Sequence, residues 1–75
     1  MNKPTIEILR QRFNKLYHGI KKDERKNIVI YFDKLARNSR MMYEPYALPV
    51  IWIEIMNRTK LGRDMLRHLN GIGLI

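Results

Sequence analysis

Seventy-five residues, 15 Lys plus Arg against 7 Asp plus Glu, and no cysteine exclude a multidomain architecture, a disulfide-framed secreted mini-protein and a thiolate metal centre. A hydrophobic share of 45% beside 29% charged residues describes a folded chain with one small core rather than a disordered one. The formal charge of +8 implies an anionic partner, most often nucleic acid.

The longest apolar run, residues 47–53, contains Pro49 and falls well short of the roughly 20 residues of a spanning helix. The start Met1-Asn2-Lys3-Pro4 has no apolar signal core. A cytoplasmic protein without membrane contact is the expectation.

In chain order, the first helix is predicted from about Thr5 to His18. Thr5 is its N-cap, with Ile8 rather than Glu or Gln at the third helical position, so there is no capping box. Ile6, Leu9, Phe13, Leu16, Tyr17 and Ile20 recur at steps of three and four and form its buried stripe. Gly19 then serves as the residue just past the helix end.

A second helix is predicted from about Asp23 to Arg40. Asp23 caps it and Glu24 lies in its first turn, both favourable at the positive end of a helix dipole. Its buried face is Ile28, Tyr31, Phe32, Leu35 and Ser39. The run Ile28-Val29-Ile30-Tyr31-Phe32 favours a strand on its own, but length and the continuing pattern through Leu35 and Ala36 favour helix.

Pro45 makes Tyr43-Glu44-Pro45-Tyr46 a turn or loop. Pro49 then opens a third helix, to about Thr59. Ile51, Trp52, Ile53, Ile55 and Met56 cover most of its circumference, which makes it the central helix of a bundle. The alternation Ile51, Ile53, Ile55 leaves a strand as the second reading.

A last helix is predicted from Lys60 to Asn70, with Met65, Leu66 and Leu69 inward and Gly71 ending it. Gly62 weakens its start, or marks a bend between two helices that would otherwise be continuous. The tail Ile72-Gly73-Leu74-Ile75 either packs back on the core or offers an apolar end to a partner. The fold expected is all-α, a single-core bundle of three to four helices spanning residues 1–75.

The charge is polarised along the chain. Eleven of the 15 cations lie in the first 40 residues against four acids, a local net of +7, and the other 35 residues net +1. On a helix, Lys22, Lys26, Arg37 and Arg40 fall within about 60° of one another opposite the apolar stripe. Asp33 interrupts that ridge and pairs with Arg37. Arg10, Arg12 and Lys15 extend the basic surface on the first helix, and Arg63 and Arg67 add secondary phosphate contacts on the last. The alternative for each is an ordinary solvated helix face, since Lys and Arg are good helix formers.

Tyr43 and Tyr46 flank Pro45 close to Arg40, where exposed rings would stack on unpaired bases. Loop tyrosines also cap small cores with the ring inward and the hydroxyl outward. Trp52 reads as core, as do Met56 and Met65, while Met41-Met42 offers an adaptable surface. Helix-turn-helix reading of DNA would use a turn at Lys60-Leu61-Gly62 and a recognition helix from Arg63 to Asn70. That alignment puts Arg58 where a small residue belongs and His68 where an apolar one does.

The stretch Thr59-Lys60-Leu61-Gly62-Arg63, with Leu66-Arg67-His68 after it, resembles the Thr-x-(Ile/Leu)-Gly-Lys segment of transcription-elongation-factor N-terminal domains over some ten residues. The helices that follow that segment there have no counterpart after His68, and nothing is carried over from the likeness.

No enzyme, cofactor or metal site is expected. His18 and His68 are the only histidines, and neither has a helical partner at ligand spacing. Ser39 is the only serine and faces inward on the predicted helix, there is no Gly-rich phosphate loop, and Asp23-Glu24 reads as a cap. Two functions follow. One is a small basic accessory protein that contacts the phosphates of DNA or RNA through a helix face, largely without regard to sequence. The other is a protein–protein adaptor or inhibitor of the phage accessory type, which binds an acidic protein.

Overall fold

The computed structural model describes residues 4–35 and 41–75, with the side chains at positions 34, 35, 41 and 42 left outside the description. The order of elements is α1 (Ile6–Gly19), α2 (Lys22–Arg25), β1 (Val29–Leu35), β2 (Met41–Ala47), α3 (Leu48–Met56) and α4 (Lys60–Gly71). The bundle expected to be all-α is therefore a mixed fold, three substantial helices and one helical turn together with an antiparallel hairpin.

Helix α1 begins as its sequence dictates, with Thr5 Oγ1 accepting from the Ile8 amide at 3.3 Å. Its stripe is buried at Leu9, Phe13 and Tyr17, with Ile6, Leu16 and Ile20 packed at the margin. Removing a side chain such as Phe13 from water contributes about 1.5–3 kcal/mol. Gly19 is the last helical residue rather than a left-handed terminator, and the chain leaves through Ile20 in an extended conformation.

The helix expected from Asp23 to Arg40 stops at Arg25. Ile28, Ile30 and Phe32 alternate inward while Val29 and Tyr31 turn outward. This period of two suits one buried sheet face, and it prevails over helical continuation because a partner strand lies within reach. That partner includes the Tyr43–Tyr46 segment expected as a turn. The register pairs Val29 with Ala47, Tyr31 with Pro45 and Asp33 with Tyr43. A two-stranded sheet leaves one hydrogen-bonding edge of each strand free, so Pro45 with its missing N–H is tolerated in β2. An amide of Leu48 donating to the Ile28 carbonyl at 2.9 Å closes the root of the hairpin. The inner face anchors through Phe32, whose ring lies 5.9 Å from Tyr46 and 4.9 Å from His68 of α4. Ser39, expected on a buried helix face, is outside the described residues.

Helix α3 starts at Leu48 with Pro49 in its first turn. Leu48, Ile51 and Ile55 are buried, but Val50 and Ile53 are exposed, Ile53 by 50%. The helix is thus a flank of the core, not its centre. Trp52 sits at the margin, its ring stacked 5.2 Å from Tyr17 and its Nε1 donating to Asn14 Oδ1 at 3.1 Å.

Between α3 and α4 the turn falls at Asn57–Thr59, three residues earlier than a helix-turn-helix alignment on Gly62 requires. Arg58 takes a left-handed conformation, φ 59°. Its amide bonds to the Ile55 carbonyl and the Thr59 amide to that of Glu54, the paired pattern of a Schellman ending. Thr59 caps α4 by accepting from the Gly62 amide at 2.9 Å, and its hydroxyl donates to the Glu54 carboxylate at 2.7 Å. Gly62 lies inside α4 against the α3 backbone. Met65, Leu66 and Leu69 are buried as expected. The end of α4 repeats the Schellman pattern, with Gly73 at φ 81°, its amide on Asn70 and the Leu74 amide on Leu69. Ile75 packs against the core, while Ile72 and Leu74 stay exposed.

Candidate nucleic-acid interface

The basic residues separate into those that hold the fold and those left at the surface. Arg10 is only 6% exposed. Its Nε donates to the Ile55 carbonyl at 2.9 Å, in the last turn of α3, and its guanidinium pairs with Glu7. A cation there satisfies a terminal carbonyl and opposes the negative end of the α3 dipole. Arg25 does the same for α1. Its Nε donates to the carbonyls of Tyr17 at 2.9 Å and Ile20 at 3.1 Å, and its guanidinium lies 4.4 Å over the Tyr17 ring. Arg10, expected at a phosphate-binding surface, is therefore a buried structural residue.

Arg58 also pairs with Glu7, and Arg67 with Asp64 at 3.4 Å. Hydrogen bonding from Arg58, then from Arg10, holds the Glu7 carboxyl below its ordinary range against an opposing desolvation effect. Arg12, Lys15, Lys22, Lys26 and Arg63 are exposed, and among the described residues none of them forms an ion pair.

The helix expected to carry the four-residue basic ridge ends at Arg25. Lys22 lies in the single turn of α2 and Lys26 at its end, while Arg37 and Arg40 lie outside the described residues. Arg12 and Lys15 come together along one side of a shallow groove completed by Leu16, Leu74 and Ile75. Arg63 and Arg67 stand four residues apart on the exposed side of α4.

The hairpin separates the two tyrosines expected to act together. Tyr43 is 68% exposed on the outer face. Tyr46 turns inward, packs against the core and meets Phe32. Burial, and then its hydrogen bond to Glu44, push the Tyr46 hydroxyl above its ordinary pKa, so it remains a donor. Its place on the outside is taken by Tyr31, 60% exposed, which a helix over these residues would turn to the core. The signal for Tyr31 was present in the alternation of residues 28–32. Tyr31 lies opposite Pro45 and diagonal to Tyr43 in the register, so two rings and a proline share one side of the ribbon.

Two grooves lie on the core side of the ribbon. One, about 620 Å³, runs between the hairpin and α4 and is lined by Phe32, Tyr46, His68 and the acidic Asp33, Glu44 and Asp64. The other, about 340 Å³, is wholly apolar and is lined by Leu16, Ile20, Ile28, Ile30, Ile72 and Leu74 with Leu48. Among the described residues, no group of three potential ligands could hold a metal ion, and no helix is long and apolar enough to cross a membrane.

No protein family, curated protein or solved structure matches this chain.

Proposed function

We propose that this chain is a small nucleic-acid-binding accessory protein of the cytoplasm that contacts phosphates largely without regard to sequence, and that it is not an enzyme. The supporting observation is the set Arg12, Lys15, Lys22, Lys26 and Arg63, exposed and without acidic partners among the described residues on a chain of net charge +8. Exposed cations that stabilise nothing locally remain available for phosphate oxygens, and neutralising a phosphate releases condensed counterions. Four to six such contacts make affinity fall about 10²- to 10³-fold between roughly 50 and 200 mM salt.

The test is a salt titration of binding to single-stranded DNA, duplex DNA and RNA. Replacing Arg12, Lys15, Lys22 and Lys26 together by Ala is expected to weaken binding and flatten the salt slope by up to four contacts. Absence of binding to all three at about 50 mM salt overturns the proposal. The wholly apolar groove beside Ile72 and Leu74 favours a second reading, an adaptor or inhibitor whose basic face meets an acidic protein while its apolar tail makes the hydrophobic contact.

A further inference from the structure

We infer that the outer face of the β1–β2 ribbon is a stacking platform for unpaired bases, with Tyr31 and Tyr43 as its two rings, so that the nucleic acid bound is single-stranded. The inference rests on the nucleic-acid reading above and names its substrate class. Strand alternation sends Val29 and Tyr31 of β1 and Tyr43 and Pro45 of β2 to the side away from the core, and all four are exposed. A two-stranded ribbon needs only one apolar face to anchor it, and Ile30, Phe32 and Tyr46 supply that. Neither outer ring has a ring contact or hydrogen bond among the described residues, so two flat apolar surfaces stand in water without a structural task.

Diagonal cross-strand positions lie about 7–8 Å apart, a spacing comparable to one extended nucleotide step, so two successive bases can each meet a ring. Every base has a π-face, and stacking of this kind is tolerant of sequence and of the sugar. A duplex keeps its bases stacked on one another and cannot use the platform. Charge complementarity selects the occupant, because the net charge of +8 and the exposed Lys26 three positions before β1 draw a polyanion rather than an apolar peptide. Asp33 is exposed and is paired with Tyr43, which keeps the phosphate backbone off that corner and leaves the rings to the bases.

The experiment compares oligothymidylate and oligouridylate of about 15 nucleotides with a duplex of mixed sequence, read by fluorescence anisotropy at fixed low salt. Both single strands are expected to bind more tightly than the duplex. The paired variant Tyr31→Ala with Tyr43→Ala should lose about 10- to 100-fold in single-strand affinity, with duplex affinity unchanged within about twofold. Tyr31→Phe with Tyr43→Phe should restore it, since the ring and not the hydroxyl carries the contact. Both positions are exposed, and an unchanged far-ultraviolet circular dichroism spectrum verifies the fold of each variant. Equal binding of single strand and duplex, or equal losses on both, overturns the platform while leaving phosphate binding intact. A dimer that the Ala variants dissociate assigns the face to a second copy and overturns it as well. No binding to any of the three removes the nucleic-acid reading and the platform together.

Discussion

The α-carbon of Gly62 in α4 faces the carbonyl of Glu54 in α3 so closely that a Cβ built on it would stand 2.3 Å from the oxygen and 2.9 Å from the Ile55 α-carbon. The obstructing atoms are backbone, which no side-chain rotation relieves. Two helices joined by a short turn come this near only where one of them lacks a side chain. Gly62→Ala is expected to destabilise the fold by about 1–3 kcal/mol or more, even though Ala is the better helix former by about 1 kcal/mol. In a domain of this size that lowers Tm by roughly 5–20 °C, which a thermal melt measures. An unchanged or raised Tm would show that propensity outweighs the contact.

Arg10 and Arg12 stand two residues apart in α1 and are expected to behave oppositely. Arg10→Ala removes a buried guanidinium from the Ile55 carbonyl and from Glu7, at a cost of about 2–4 kcal/mol. Arg10→Lys recovers little of this, because an ammonium cannot reproduce the planar fork. Arg12→Ala should leave stability within about 0.5 kcal/mol while weakening nucleic-acid binding. Urea midpoints measured beside binding isotherms separate the two roles.

The Glu7 carboxylate, held below its ordinary pKa by Arg58 and Arg10, contributes to stability wherever it is charged in the folded state. That contribution is complete above the ordinary value of 4.5 and is lost as pH falls through the lowered one, where the folded carboxylate takes up its proton. Glu7→Gln is therefore expected to lower stability at neutral pH slightly and to flatten the acid limb of the stability curve. Denaturant midpoints across the acid range, for the chain and for this variant, check the sign.

Gly73 holds the left-handed position that ends α4. Gly73→Ala places a Cβ in that conformation at a cost of about 1 kcal/mol, and the expected sign is a lower Tm although the site is open. Arg58 occupies the equivalent position at the end of α3, and there the ion pair with Glu7 accompanies the strain. Arg58→Gly consequently trades one effect against the other, and its stability change should be smaller than that of Gly73→Ala.

Helices α1, α3 and α4 are legible in the sequence because local signals and core demands agree there. Thr5 caps, Phe13 and Tyr17 fall on one stripe, and Pro49 opens a helix it cannot interrupt. The hairpin is not legible in the same way, because strand pairing is a non-local fact. Nothing near Ile28–Phe32 announces that Met41–Ala47 will lie beside it, and Pro45 argues locally for a loop. The candidate interface suffers likewise. Charge can be counted along a chain, but whether a guanidinium faces water or a helix end depends on what packs beside it. Arg10 therefore looks like an available cation until the carbonyl of Ile55 is seen in front of it. Tyr31 and Tyr46 exchange roles for the same reason, since paired strands replace an expected helix at one and an expected loop at the other.

Leu48 is at once the first residue of α3, a member of the buried core and the donor that closes the hairpin at Ile28. Opening the ribbon at its root breaks a backbone hydrogen bond whose donor residue is anchored in the core. Local opening of the sheet and global unfolding are thereby merged near Leu48 into one cooperative event. A ligand seated at the root of the ribbon is therefore expected to raise the melting temperature of the domain.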